Sequence, residues 1–86
     1  MNISVELTLM PLHNNFEEPI IKFIQQLRKS GFTVMENPLS TQIYGDYDSL
    51  MSYLTNNIKT TFEKENNVVL NMKIVKSDRS NYERNY

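Results

Sequence analysis

From Ile3 to Met10 apolar and polar side chains alternate, with Ile3, Val5, Leu7 and Leu9 on one side and Ser4, Glu6, Thr8 and Met10 on the other. A period of two is that of a strand with one buried face. Pro11 removes a ladder donor, and His13, Asn14 and Asn15 favour a loop, so the strand ends there. The period then changes. Phe16, Ile20, Phe23, Ile24 and Leu27 form one apolar stripe at helical spacing. Glu17 and Glu18 suit the positive end of that helix, Pro19 suits its first turn, and Gly31 is a natural stop.

Alternation resumes from Phe32 to Asn37, with Phe32 and Val34 on one side and Thr33 and Met35 on the other. Pro38 and Leu39 interrupt it, and Ser40 to Gly45 form a third strand with Ile43 inward and Gln42 and Tyr44 outward. So short a break implies a hairpin. Asp46 is placed to cap a second helix, whose stripe is Tyr47, Leu50, Met51, Leu54, Ile58 and Phe62. Asn66 and Asn67 end it, and Val68 to Val75 form the last strand with Leu70, Met72 and Ile74 inward. The order β-α-β-β-α-β predicts an α+β, ferredoxin-like fold: a four-stranded antiparallel sheet in the order 4-1-3-2, with two helices on one face. Residues 1–76 make the domain; residues 77–86 are a polar, aperiodic tail expected to fray.

Composition narrows the function. At 86 residues there is room for one domain, and with no cysteine there is no disulfide framework to support a modest core. Self-association would supply further burial. A formal net charge of −1, with Lys and Arg scattered among acids, disfavours nucleic acid. No apolar run approaches a membrane span and no signal-peptide order opens the chain, so no membrane insertion and a cytoplasmic location are expected.

One histidine and no cysteine exclude a His/Cys metal site within one chain. Gly31 and Gly45 are the only glycines, so no glycine-rich phosphate loop exists. His13 reads as a loop residue; any Ser-His-Asp triad would depend on it, and no nucleophile elbow supports one. Asp46 and Asp48 read as helix-capping acids. A hydrolase of small anions on this fold would need an arginine cradle, and none lies between Pro11 and Phe16. No enzyme activity is expected.

Attention therefore falls on the sheet face away from the helices. The predicted register puts Ser4, Glu6, Thr8 and Met10 there, with Thr33, Met35 and Asn37, Ser40, Gln42 and Tyr44, and Val69, Asn71, Lys73 and Val75. Four strands of about six residues spaced ~4.8 Å apart present roughly 400 Å². Met35, Tyr44, Val69 and Val75 make the face partly apolar, which suits sheet-to-sheet association of subunits. Glu6 on the central strand is flanked by Gln42 and Tyr44 on one side and Asn71 and Lys73 on the other. Two readings stay open: a receptor for a small polar heterocycle, or a Glu6–Lys73 cross-strand pair with ordinary polar neighbours.

Three segments resemble the YkoF-like thiamine-binding proteins: Ile3 to Leu12, with its terminal hydrophobic-Pro turn; Asn37 to Asp46, with an early Thr and a final Gly plus acid; and Val69 to Ile74, followed by Asp78-Arg79. Ser40 stands where that family commonly has Gly, and Tyr44 where an acid is frequent. The resemblance implies a homo-oligomer, dimer or tetramer, joined through the sheet faces. It also implies non-catalytic binding of thiamine or its hydroxymethylpyrimidine moiety, with no other cofactor. On that basis Glu6 accepts from, or protonates, a pyrimidine nitrogen, and Gln42 and Asn71 pair with the exocyclic amine. Ser40 and Thr41 add hydroxyl bonds from the strand edge, Tyr44 stacks on the thiazolium, and Thr8 and Asn37 complete the candidate ligand-binding set. The rival reading is a structural or regulatory oligomerisation module without a small ligand.

Overall fold

The computed structural model describes residues 1–81. Six elements follow one another: β1 (Asn2–Pro11), α1 (Glu17–Arg28), β2 (Thr33–Glu36), β3 (Thr41–Asp46), α2 (Tyr47–Lys64) and β4 (Val68–Val75). The strands form one antiparallel sheet in the order β2-β3-β1-β4, the expected 4-1-3-2 arrangement. β1 and β3 are the two interior strands, and the core residues of the sheet come from them. Ile3, Val5, Leu7 and Leu9 join Ile43, Phe23 and Leu27 of α1, and Leu50 and Leu54 of α2 in the core.

Local chemistry sets the ends of the elements. The Asp46 carboxylate accepts from the Ser49 amide at 3.4 Å and opens α2 as a side-chain cap. Gly31 takes φ 86° two residues after the α1 cap, a conformation that favours a residue without Cβ. In the β2–β3 hairpin, Asn37 Oδ1 accepts from the amides of Leu39 (2.8 Å) and Ser40 (3.0 Å), so the side chain builds the turn. Arg28 grips Glu36 through Nε and Nη2, both at 2.6 Å, and fastens the end of α1 to the edge strand β2.

Two expectations need correction. Phe16 and Phe62 belong to the helical stripes by spacing but are half exposed, and Phe16 is the N-cap residue ahead of the first turn of α1. Met72 and Ile74 do lie on the helix side, opposite Leu7 and Val5, yet remain 41% and 43% exposed. β4 is an edge strand, and the core gathers over β1 and β3 instead. The start of the tail is hydrogen-bonded to the sheet. Ser4 Oγ donates to the Ser77 carbonyl at 2.7 Å and accepts from the Arg79 amide at 2.8 Å, leaving Ser4 7% exposed on what was expected to be an open face. The remainder of the expected tail, 82–86, lies outside the described residues.

Candidate functional site on the open sheet face

The pairing register determines which polar groups meet. Glu6 stands opposite Gln42 on β3 and Lys73 on β4, Thr8 opposite Asn71, and Ser4 opposite Tyr44 and Val75. All of these side chains fall on the sheet face away from the helices, since their neighbours Val5, Leu7 and Ile43 are core residues. At the hairpin end of this face a short chain of hydrogen bonds forms. Gln42 Nε2 donates to Ser40 Oγ at 2.6 Å, and Ser40 Oγ donates to Glu6 Oε2 at 3.0 Å. Lys73 Nζ approaches the other oxygen, Glu6 Oε1, at 3.7 Å. The Glu6 carboxylate is thus offered a hydroxyl on one side and an ammonium on the other. Its side chain is 43% exposed and that of Lys73 is 71% exposed, so water competes for both.

Around this centre the candidate residues separate into groups. Thr8 Oγ1 donates to the Leu39 carbonyl at 3.5 Å and leans towards the hairpin. Asn71 is exposed on β4 beside Thr8. Tyr44 is partly buried, and burial first, then the Asp78 and Glu6 carboxylates, push its phenol above the ordinary tyrosine range. Asn37 sits at the rim, with its carbonyl oxygen committed to the turn. Thr41 lies opposite Leu7 on the helix side and is 5% exposed. It meets Thr8, Asn37 and Ser40 only at the hairpin end, where all four line a cavity of about 160 Å³ with Leu7, Leu9 and Phe23. Alternation puts Thr41 in phase with Ile43; proximity to Ser40 in the chain does not carry it round to the open face.

Met10, Met35 and Val69 are exposed at the margins, so an apolar border flanks the polar centre. The sequence reading missed Asp78, which returns to this face because Ser77 and Arg79 are held by Ser4. A polar serine at a position facing a polar neighbour gives no local signal of so distant a partner. Among the described residues there is no group of three or more His, Cys, Asp or Glu side chains able to hold a metal ion. No helix among them is long and apolar enough to cross a membrane. The face presents hydrogen-bonding groups from the strands: a carboxylate, hydroxyls, carboxamides and a phenol.

Residues 5–85 match the model of a family described as thiamine-binding protein. The chain belongs to the thiamine-binding protein family. Its solved relatives have the same fold. A Streptococcus pneumoniae protein is 26% identical, with a TM-score of 0.83 over 91% of this chain and 89% of that one. A Thermotoga maritima protein, provisionally assigned to thiamine biosynthesis or salvage, is 17% identical with a TM-score of 0.78, covering 86% of this chain and 82% of its own. A domain of unknown function from Bacillus cereus is 15% identical with a TM-score of 0.74, covering 90% and 77%. No curated protein matches the sequence. The family's description names binding, and the polar centre on β1 and β3 falls within the matched residues.

Proposed function

We propose that this protein binds thiamine, or its hydroxymethylpyrimidine moiety, without catalysing its conversion, and that it works in the cytoplasm as a dimer or tetramer associated through the open sheet faces. Family membership supports a thiamine-related binding role, and the Gln42–Ser40–Glu6 hydrogen-bond chain is the single observation that carries the choice of face. Glu6 accepts from, or protonates, a ring nitrogen of the pyrimidine. Gln42 and Asn71, on the strands either side of it, pair with the exocyclic amine, and Ser40 and Thr8 add hydroxyls. Lys73 is loosely held and largely exposed, so a ligand can replace it at Glu6 Oε1. Tyr44 stacks on the cationic thiazolium, a contact worth ~0.5–2 kcal/mol. Met10, Met35 and Val69 provide the apolar border through which a second copy closes the face.

Calorimetry with thiamine and with hydroxymethylpyrimidine, alongside light scattering, tests the reading. Hydrogen bonds to charged groups contribute ~1.5–3 kcal/mol, so Glu6→Gln should weaken binding by about tenfold or more. Equal affinity in parent and variant removes Glu6 from the site. A second reading has an observation in its favour: both Glu6 oxygens already have partners within the chain. An oligomerisation module without a small ligand would show the same assembly in light scattering but no thermal shift with any thiamine-related compound.

A further inference from the structure

β1 runs on past the end of its pairing with β3. Its ladder with β4 continues to Pro11 and Val68, but its ladder with β3 stops at Leu7 and Thr41. Beyond that point β1 and the hairpin turn part, and the cavity of about 160 Å³ occupies the gap, with Ile20 and Ile24 of α1 behind it. Thr8 and Ser40 border the gap on the open face, and Leu9 and Thr41 border it on the helix side. A cavity of about 150 Å³ holds one benzene molecule. This one therefore has room for a single six-membered ring and not for two.

The lining is of two kinds. Ile20, Ile24, Pro38 and Leu39 offer apolar surface to a flat ring, and Leu39 is 85% exposed at the rim, where such a ring would cover it. Hydroxyls supply the rest. Thr8 donates to the Leu39 carbonyl and Ser40 to Glu6, but the Thr41 hydroxyl has no hydrogen-bond partner among the described residues. Nor is it sealed away: the sealed side-chain polar atoms without partners belong to Asn57 and Ser77. Buried polar groups are ordinarily paired. An accessible, unpaired hydroxyl on a side chain only 5% exposed, set among apolar walls, suits a ligand with one polar atom at a fixed place.

Resting on the thiamine reading, we propose that the gap between β1 and the hairpin takes the pyrimidine ring edge-on, and that Thr41 determines which ring is accepted. The methyl-bearing edge enters first, and the Thr41 hydroxyl donates to the ring nitrogen beside the methyl carbon. The opposite edge, with the amine and the hydroxymethyl carbon, stays at the mouth between Thr8 and Ser40. Glu6 lies two residues from Thr8, about 6.8 Å along β1, within reach of groups on that outer edge. Ser4, opposite Tyr44, lies two residues further on the same line, so the thiazolium of thiamine extends over the open face.

Calorimetry and chemical-shift mapping of the full chain test this with hydroxymethylpyrimidine, thiamine and the same pyrimidine stripped of its hydroxymethyl group. All three should give saturable shifts of the Leu9 and Thr41 amides and the Ile24 methyls. Thr41→Val keeps the shape of the side chain and should weaken each by about fivefold, the loss of one hydrogen bond, while Thr41→Ser restores binding. Replacing the ring methyl by phenyl should cost at least about tenfold, because two rings exceed the cavity. Parent-like affinity in Thr41→Val, or shifts confined to Glu6, Gln42 and Asn71, would overturn the proposal and leave the ligand on the open face. If the stripped ring alone binds and shifts Thr41, the gap is a one-ring site and the thiamine reading falls. If none of the three binds, both fall.

Discussion

The Ser4 hydroxyl donates to the carbonyl of Ser77, 73 positions away in the chain, and accepts from the amide of Arg79. One side chain near the start of the central strand thereby fastens the segment after β4 across the sheet. It carries Asp78 to the edge of the polar centre, where its charge acts on Tyr44.

Ser4→Ala removes both bonds while keeping the strand. We expect a loss of about 1–2 kcal/mol in urea unfolding, the usual cost of a buried hydroxyl's partnerships. Faster hydrogen exchange at the Arg79 amide should accompany it. Unaltered exchange at that amide would mean the segment is held by something else.

Gly45 of β3 lies against the Phe32 ring. A Cβ added there would lie 2.6 Å from Phe32 Cδ1, and the ring is backed edge-on by Tyr53 at a centroid distance of 6.1 Å. Gly45→Ala should destabilise by about 1–3 kcal/mol through overpacking. Adding Phe32→Leu should recover part of that loss, and a double-mutant cycle in denaturant measures the coupling.

The Arg28–Glu36 pair makes a pH prediction with a definite sign. Hydrogen bonding to Arg28 holds the Glu36 carboxyl below the usual carboxylate range. A carboxyl lowered on folding contributes stability that is present above its unfolded pKa and lost as pH falls through the folded value. Both side chains are exposed, so the readout is NMR titration of the Glu36 carboxyl carbon. Arg28→Met should return its midpoint upwards to the ordinary glutamate range; an unmoved midpoint would sink the pairing.

Tyr44 runs the other way. Burial, then Asp78 and Glu6, raise its phenol above the ordinary range. The stability it contributes is present below the unfolded tyrosine pKa and lost as pH rises through the folded one. Ultraviolet titration of difference absorbance should show two tyrosines ionising late, Tyr44 and the partly buried Tyr53, and Asp78→Asn should bring down the Tyr44 midpoint alone without restoring it fully, because burial is the larger cause.

Much of the fold was legible because its determinants are local. The two-residue period of Ile3 to Leu9, the helical spacing of Leu50 and Leu54, and the Asp46 cap each act within a few residues. The face of Glu6, Gln42 and Tyr44 was legible for the same reason. The partners on that face were only partly so. A Glu6–Lys73 pairing follows from strand order, but the Ser40 bridge depends on how the Asn37 turn presents the start of β3. Thr41 follows the alternation to the buried side, and only the hairpin brings it into one cavity with Thr8, Asn37 and Ser40.

By itself, then, the sequence determined the elements, their order and the face on which each strand residue lies, since periodicity and capping are short-range effects. Tertiary structure decided the rest. The docking of Ser77 and Arg79 on Ser4 and the exposure of Met72 and Ile74 on an edge strand both depend on which distant surfaces come together. That is a balance of burial and hydrogen bonding over the whole chain, which no short window of residues contains.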